Sequence, residues 1–253
     1  MTKAVFAVAL LLGLLAVPSV PSLACTAGLT APADLVVHLE SFAEYPLLAF
    51  PGQWKVRGDE NKARLIYRVA EENGDRFLHA HADSQAIQIG IAQAFPPHEF
   101  PLLHWRWRVT QLPPGGDERR KETHDSAAGV YVIFDNKIFP RVIKYVWSTT
   151  VPVGARIQNP LYWRAKMIVL RSGPSGLGEW HQETVNFYQD YKELFDAEPG
   201  QVQGIGLMTS SSFTKSVAIA DYGDFLLLNP QACPAEELVG TLPPRSPTTL
   251  STP

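Results

Sequence analysis

The sequence predicts an all-β fold, a β-sandwich of jelly-roll type with one short helix. Three observations predict it. Runs of four to eight residues that alternate apolar and polar side chains recur along the chain, the period-two signature of a half-buried strand. Clusters such as Asn73-Gly74, Pro113-Pro114-Gly115-Gly116, Ser172-Gly173-Pro174 and Glu198-Pro199-Gly200 punctuate those runs, as turns require. Only one segment has clear helical spacing. About eleven short strands and one small helix argue for two packed sheets.

Taken in order, the expected strands are residues 64–69, 77–82, 86–91, 103–110, 129–135, 142–148, 165–170, 184–188, 202–209, 216–220 and 224–228. The helix is expected at residues 190–197, where Tyr191, Leu194 and Phe195 share a face and Asp190 is the expected N-cap. In the strand at 103–110, alternation sends Leu103, Trp105, Trp107 and Val109 one way and His104, Arg106 and Arg108 the other. One reading fills the core with the tryptophans and leaves the arginines on a wet face; the other makes that face part of a binding site. In the strand at 142–148, Lys144 shares a face with Val142 and Val146, opposite Ile143, Tyr145 and Trp147. A cation at the edge of an apolar surface is a mild signal for a site.

The N-terminus carries a second expectation. Lys3 precedes an uncharged apolar run over residues 4–17; Pro18 and Pro21 follow, then Ser22-Leu23-Ala24. Residues 1–24 therefore read as a cleaved signal peptide, and the run is shorter than the ~20 residues of a spanning helix. The chain is expected to be periplasmic or secreted. Cleavage would expose Cys25, which leaves two exclusive readings. Either Cys25 pairs with Cys233, the other cysteine, in a disulfide, or Cys25 is lipidated as in a lipoprotein. Ordinary cleavage is favoured because Ser22 stands where lipoprotein signals usually place Leu. Residues 25–239 read as one domain and residues 240–253, rich in Pro, Ser and Thr, as a disordered tail. A net charge of −3 gives no reason to expect nucleic acid, and no other segment is apolar for long enough to cross a membrane.

The chemical signatures of familiar enzymes are missing. The sequence contains no phosphate-cradling glycine loop, dinucleotide fingerprint, Gly-x-Ser-x-Gly or His-Glu-x-x-His. Ser212 and Lys215 fit Ser-x-x-Lys without its companion motifs, and His79 and His81 have a spacing that metal sites use but no third histidine nearby. The charged loop holding Asp117, Glu118 and Asp125, and the pair Asp221 and Asp224, supply carboxylates that could serve glycoside hydrolysis or calcium. Trp147, Tyr162, Trp163, Trp180 and Tyr222 fall in or beside loops and strand ends, where aromatic rings can stack on sugars.

The chain resembles the bacterial exported family of unknown function numbered 3047. The match runs through 103–113 (LHWRWRVTQLP), Asp117-Glu118, 125–134 (DSAAGVYVIF), 141–148 (RVIKYVWS), Gly154, Asn159-Pro160 and 170–180 (LRSGPSGLGEW). It continues through Asp190-Tyr191, Phe195, 204–209 (GIGLMT) and 220–224 (ADYGD). The resemblance implies a galactose-binding-like or carbohydrate-module jelly roll with no assigned activity. Members tend to carry acidic residues after the Met-Thr, where this chain has Ser210-Ser211-Ser212, which weakens any cationic or catalytic role for that loop.

The resulting expectation is a sandwich that binds a carbohydrate or cell-envelope polymer without catalysis. Trp147 would stack on a ring, Arg108, Lys144 and Asp125 would give polar contacts, and Trp180 belongs to the same expected site. No cofactor is expected; a calcium ion near Asp224 would be structural. Two rivals remain open: an envelope glycan hydrolase or lyase with Asp125 and Asp117 as acid and base, and a structural envelope protein that meets another protein.

Overall fold

The computed structural model describes residues 35–135 and 138–232. The expected signal peptide, the Cys25–Cys233 pairing, the lipid anchor at Cys25 and the tail at 240–253 lie outside the described residues. In chain order the strands are β1 (Val36–Glu40), β2 (Lys55–Arg57), β3 (Tyr67–Glu72), β4 (Asp75–Asp83), β5 (Gln88–Phe95), β6 (Leu102–Gln111), β7 (Ala128–Phe134), β8 (Arg141–Ser148), β9 (Arg156–Gln158), β10 (Ala165–Ser172), β11 (His181–Asn186), β12 (Val202–Met208) and β13 (Val217–Leu228). Two helices join them, α1 (Glu60–Ile66) before β3 and α2 (Phe187–Phe195) after β11. The fold is a jelly-roll-type β-sandwich.

One sheet has the order β11-β6-β13-β4-β3, with β1 also paired to β13; the other runs β2-β5-β12-β7-β8-β10-β9. The described pairings are antiparallel except β8 with β10, which run parallel. Alternation places Trp105 and Trp107 from β6, Tyr145 and Trp147 from β8, and Tyr222 from β13 between the sheets, all wholly buried. The rings interlock: Trp107 lies 5.3 Å from Trp105, edge to face, and 6.1 Å from Trp147.

Local chemistry corrects several expected boundaries. Residues 64–66 are helical, because the Asp59 side chain caps the backbone N–H groups of Asn61 and Lys62 while Ala63 and Ile66, three apart, bury one face. The expected single helix is therefore one of two. The second starts earlier than expected: Asn186, which accepts from the Gln189 backbone, is its N-cap, and Asp190 is a buried residue within it. The two strands expected at 216–220 and 224–228 are one, β13, whose register against β6 shifts after Gly223. Asp224 at that shift has φ +54°, the conformation in which Asp and Asn are tolerated. Strands β1, β2 and β9 were not expected; two are only three residues long, too short to show a period.

Candidate functional site

The five residues expected to bind ligand do not meet. Trp147 is wholly buried, with its indole Nε1 donating to the Gly173 carbonyl at 3.2 Å and its ring 5.2 Å from His181; it cannot stack on a sugar. Alternation assigned its face correctly, but that face is the core. Arg108 and Trp180 lie on the outer face of the six-stranded sheet. There Arg108 donates to Asp221 at 2.8 Å and to Glu72 at 2.9 Å, and Arg106 pairs with Asp75 and Asp224. The Trp180 ring covers both guanidinium groups, 4.5 Å from Arg106 and 4.8 Å from Arg108. His79 hydrogen-bonds Asp221 at 2.8 Å. These charges answer one another. Asp224, expected near calcium, is occupied by Arg106, and among the described residues no group of three His, Cys, Asp or Glu is arranged to hold a metal.

Lys144 and Asp125 occur together on the outer side of the other sheet, in a buried polar cluster. Lys144 is fully enclosed. Its chain lies over Gly129, where a Cβ would come within 2.6 Å of its Cε, so β7 needs glycine there. Its Nζ donates to Ser126 Oγ at 2.9 Å and sits 5.4 Å from the Tyr131 ring. Burial pulls its pKa down to about 8, against the opposing pull of Glu118 and Asp125. Asp125 accepts from Ser210 Oγ, from the Thr214 backbone and from Thr214 Oγ1. Ser148 Oγ donates to Glu118 Oε2, and Glu118 Oε1 has no hydrogen-bond partner in the protein. His124 binds the Glu118 carbonyl at 2.8 Å; burial, then the Lys144 charge, lowers its pKa to about 4. The cluster stitches the loop before β7 and the loop after β12 to the end of the sheet.

Neither carboxylate of the hydrolase reading faces a cleft with the other. Asp117 is held by Arg119, whose Nε and Nη2 donate to it at 2.8 and 2.7 Å, and Asp125 is enclosed. Ser212 and Lys215 fall at a turn and show no hydrogen bond to each other.

The open feature of this sheet lies beside the cluster. Register carries one row of outward positions across it: Lys55 on β2, Gly90 on β5, Gly206 on β12, Tyr131 on β7, Lys144 on β8 and Met167 on β10. In the next row Ala92 pairs with Gly204, and Gly204 with Ile133. Four outward positions on β5 and β12 therefore carry a methyl group or nothing. Two have backbone reasons: a Cβ on Gly204 would collide with the Ile91 carbonyl, and one on Gly90 would meet the Ile205 carbonyl at 2.9 Å. The result is a groove of about 220 Å³ along β5 and β12, lined by Lys55, Arg57, Gln88, Gln203 and Ile133 above a floor of glycine and alanine. Three strand spacings separate β2 from β7, about 14 Å between backbones. Ile133 of β7 lines the far side; two residues away on that strand Tyr131 is buried, its pKa pushed up by burial while Arg57 pulls the other way. Tyr162 packs against the same wall, and the next residue, Trp163, is 74% exposed.

Sequence reasoning missed this groove because it is built from absent side chains. The signal was available in Gly204-Ile205-Gly206 and Gly90-Ile91-Ala92, where every outward position is small.

These features define a class: a two-sheet β-sandwich with a shaved, open groove on its larger sheet. The chain belongs to the family described as protein of unknown function DUF3047, whose model matches residues 52–226. No curated protein matches the sequence. Among solved structures, the chain is similar to the family 30 carbohydrate-binding module of a Clostridium thermocellum cellulosomal cellulase (9% identity, 77% of this chain and 98% of that one, TM-score 0.41). It is also similar to the Emp47p carbohydrate recognition domain (10%, 79% and 96%, TM-score 0.38) and to endoglucanase 3 of family GH12 from Trichoderma harzianum (12%, 78% and 98%, TM-score 0.39). Likeness at these scores says nothing about ligand. Among the described residues no helix is long and apolar enough to cross a membrane.

Proposed function

We propose that this protein is an exported binding module that holds an extended glycan segment along the groove of β5 and β12, without chemistry of its own. The observation that carries the reading is the floor: Gly90, Ala92 and Gly204 leave the sheet bare beside walls that carry hydrogen-bonding side chains. Glycine inside a strand costs about 0.5–1 kcal/mol relative to alanine and marks close approach by a ligand or another backbone; here Gly90 and Gly204 admit the facing strand, and the space left above them forms the floor. The walls supply what a sugar needs, amides from Gln88 and Gln203, the Arg57 guanidinium, and apolar surface from Ile133. No carboxylate lines the groove, which favours binding over hydrolysis.

A thermal-shift and calorimetric screen of the purified protein against polysaccharides tests this. A ligand that binds only the folded state raises the melting temperature by mass action. The test variant is Ala92→Trp, because Ala92 is exposed and a large ring there fills the groove without entering the core. Binding lost in Ala92→Trp with the melting temperature of the free protein retained supports the reading. Binding that Ala92→Trp leaves intact places the ligand elsewhere and refutes it.

A further inference from the structure

The two cations of the groove are placed differently from Arg106 and Arg108. On the opposite sheet Arg106 and Arg108 each have two carboxylate partners. Lys55 and Arg57, both exposed on β2, are in no ion pair among the described residues. The hydrogen bond recorded for the Arg57 guanidinium goes to a neutral acceptor, Gln88 Oε1, at 3.4 Å. The groove they overhang is lined by no Asp or Glu, while the larger cleft on the other side of the molecule is lined by Glu71, Asp75 and Asp224. The Gln88 amide extends from the Arg57 guanidinium toward Gly206, so the cations and this amide share one wall of the groove. All this occurs on a chain of net charge −3, so the positive wall is local and is not the leakage of a basic protein.

From this geometry we infer that the groove selects carboxylated glycans, chains of uronic acids whose carboxylates meet Arg57 and Lys55 while the sugar rings lie on the glycine floor. The inference rests on the groove reading above and narrows it. Guanidinium and carboxylate match as a two-pronged pair, and such charge-assisted bonds are shorter and about twice as strong as neutral ones. A neutral chain would leave both cations without a partner and gain only the amide contacts. Attraction between groups at a partly open surface is screened by salt, so affinity falls as ionic strength rises.

The experiment is calorimetry of the purified protein with polygalacturonate and alginate, with a neutral β-glucan and xylan, and with dextran sulfate, each at low and high salt. It uses the unaltered chain, the double variant Lys55→Gln/Arg57→Gln and Ala92→Trp. The expected result is uronate binding at least about tenfold tighter than neutral binding, the difference made by roughly one charge-assisted pair. High salt weakens that binding, and both variants abolish it. Equal affinity for neutral and uronate chains, indifferent to salt and to the double variant, overturns the inference and leaves the groove reading standing. Dextran sulfate bound as tightly as the uronates shows response to charge alone and also overturns the carboxylate assignment. Uronate binding that survives Ala92→Trp refutes both, as does a blank panel. Because Lys55 and Arg57 are exposed and unpaired, the double variant keeps its fold; an unchanged melting temperature verifies this before binding is read.

Discussion

The two outer faces of the sandwich are built from the same kinds of residue and behave oppositely. On the six-stranded sheet, Arg106, Arg108, His79, Asp75, Asp221 and Asp224 form a closed set of pairs roofed by Trp180. On the seven-stranded sheet the buried cation Lys144 donates to a hydroxyl, and the exposed cations Lys55 and Arg57 flank a floor of glycine and alanine. The first face holds itself together. On the second, Lys55 and Arg57 are exposed and have no carboxylate partner among the described residues. Charged residues therefore indicate a site only when their partners are missing, which a sequence cannot show.

Experiments can break or sharpen this contrast, beginning with the layer shared by both faces. Trp147→Ala removes a wholly buried ring from between the sheets and should cost about 3–5 kcal/mol, seen in urea unfolding. A loss below about 1 kcal/mol would mean that Trp147 is more accessible than its burial implies.

The second largest effect is in pH. Lys144 has a folded pKa of about 8 against an ordinary 10.5, so the folded protein binds fewer protons than the unfolded chain between those values. Stability rises with pH across that window, by roughly 3 kcal/mol in all. The rise should be visible from pH 8 to 10, above which the buried hydroxyls of Tyr67, Tyr145 and Tyr222, raised by burial, reverse it. In Lys144→Met the rise should vanish. The acid side has the same sign: His104 and His124 are held neutral, each lowered to about 4 from 6.5 by burial. Their contribution is complete above pH 6.5 and is lost as pH falls toward 4. Asp190, raised by burial to about 6, opposes part of that loss below pH 6.

Asp221→Ala should cost about 1–3 kcal/mol, since it removes the carboxylate from His79 and leaves Arg108 with Glu72 alone. Smallest of all, Arg57→Gln should change stability by less than about 0.5 kcal/mol, because nothing in the fold depends on its charge. If chemical denaturation ranks Asp221 and Arg57 together, the two faces do not differ as described.

Much of the fold was legible from particular residues. The alternation in LHWRWRV (103–109) assigned both tryptophans and both arginines to their observed faces, and the quoted family motifs lie within the matched span of residues 52–226. Lys144 was noticed because it shares a face with two valines. Of its neighbours, Asp125 was assigned to the same site and Glu118 was read as a carboxylate of the charged loop, but Ser126 and the convergence of that loop on Lys144 were not seen, because its approach depends on tertiary packing. Trp147 was misplaced for a different reason: alternation separates two faces but does not say which one is the core. The groove escaped because strands 88–95 and 202–208 become neighbours through long-range pairing, and because small residues give a sequence reader nothing to notice.

Strand β13 has a consequence for how the protein is made. It runs through the middle of its sheet, bonded to β6 on one side and to β4 and β1 on the other, yet its residues 217–228 follow all of those strands in the chain. A nascent chain lacking them has no way to join β6 to β4. Closing such distant pairings is slow, and the six-stranded sheet can be completed only once residues 217–228 are available, last of all the strands.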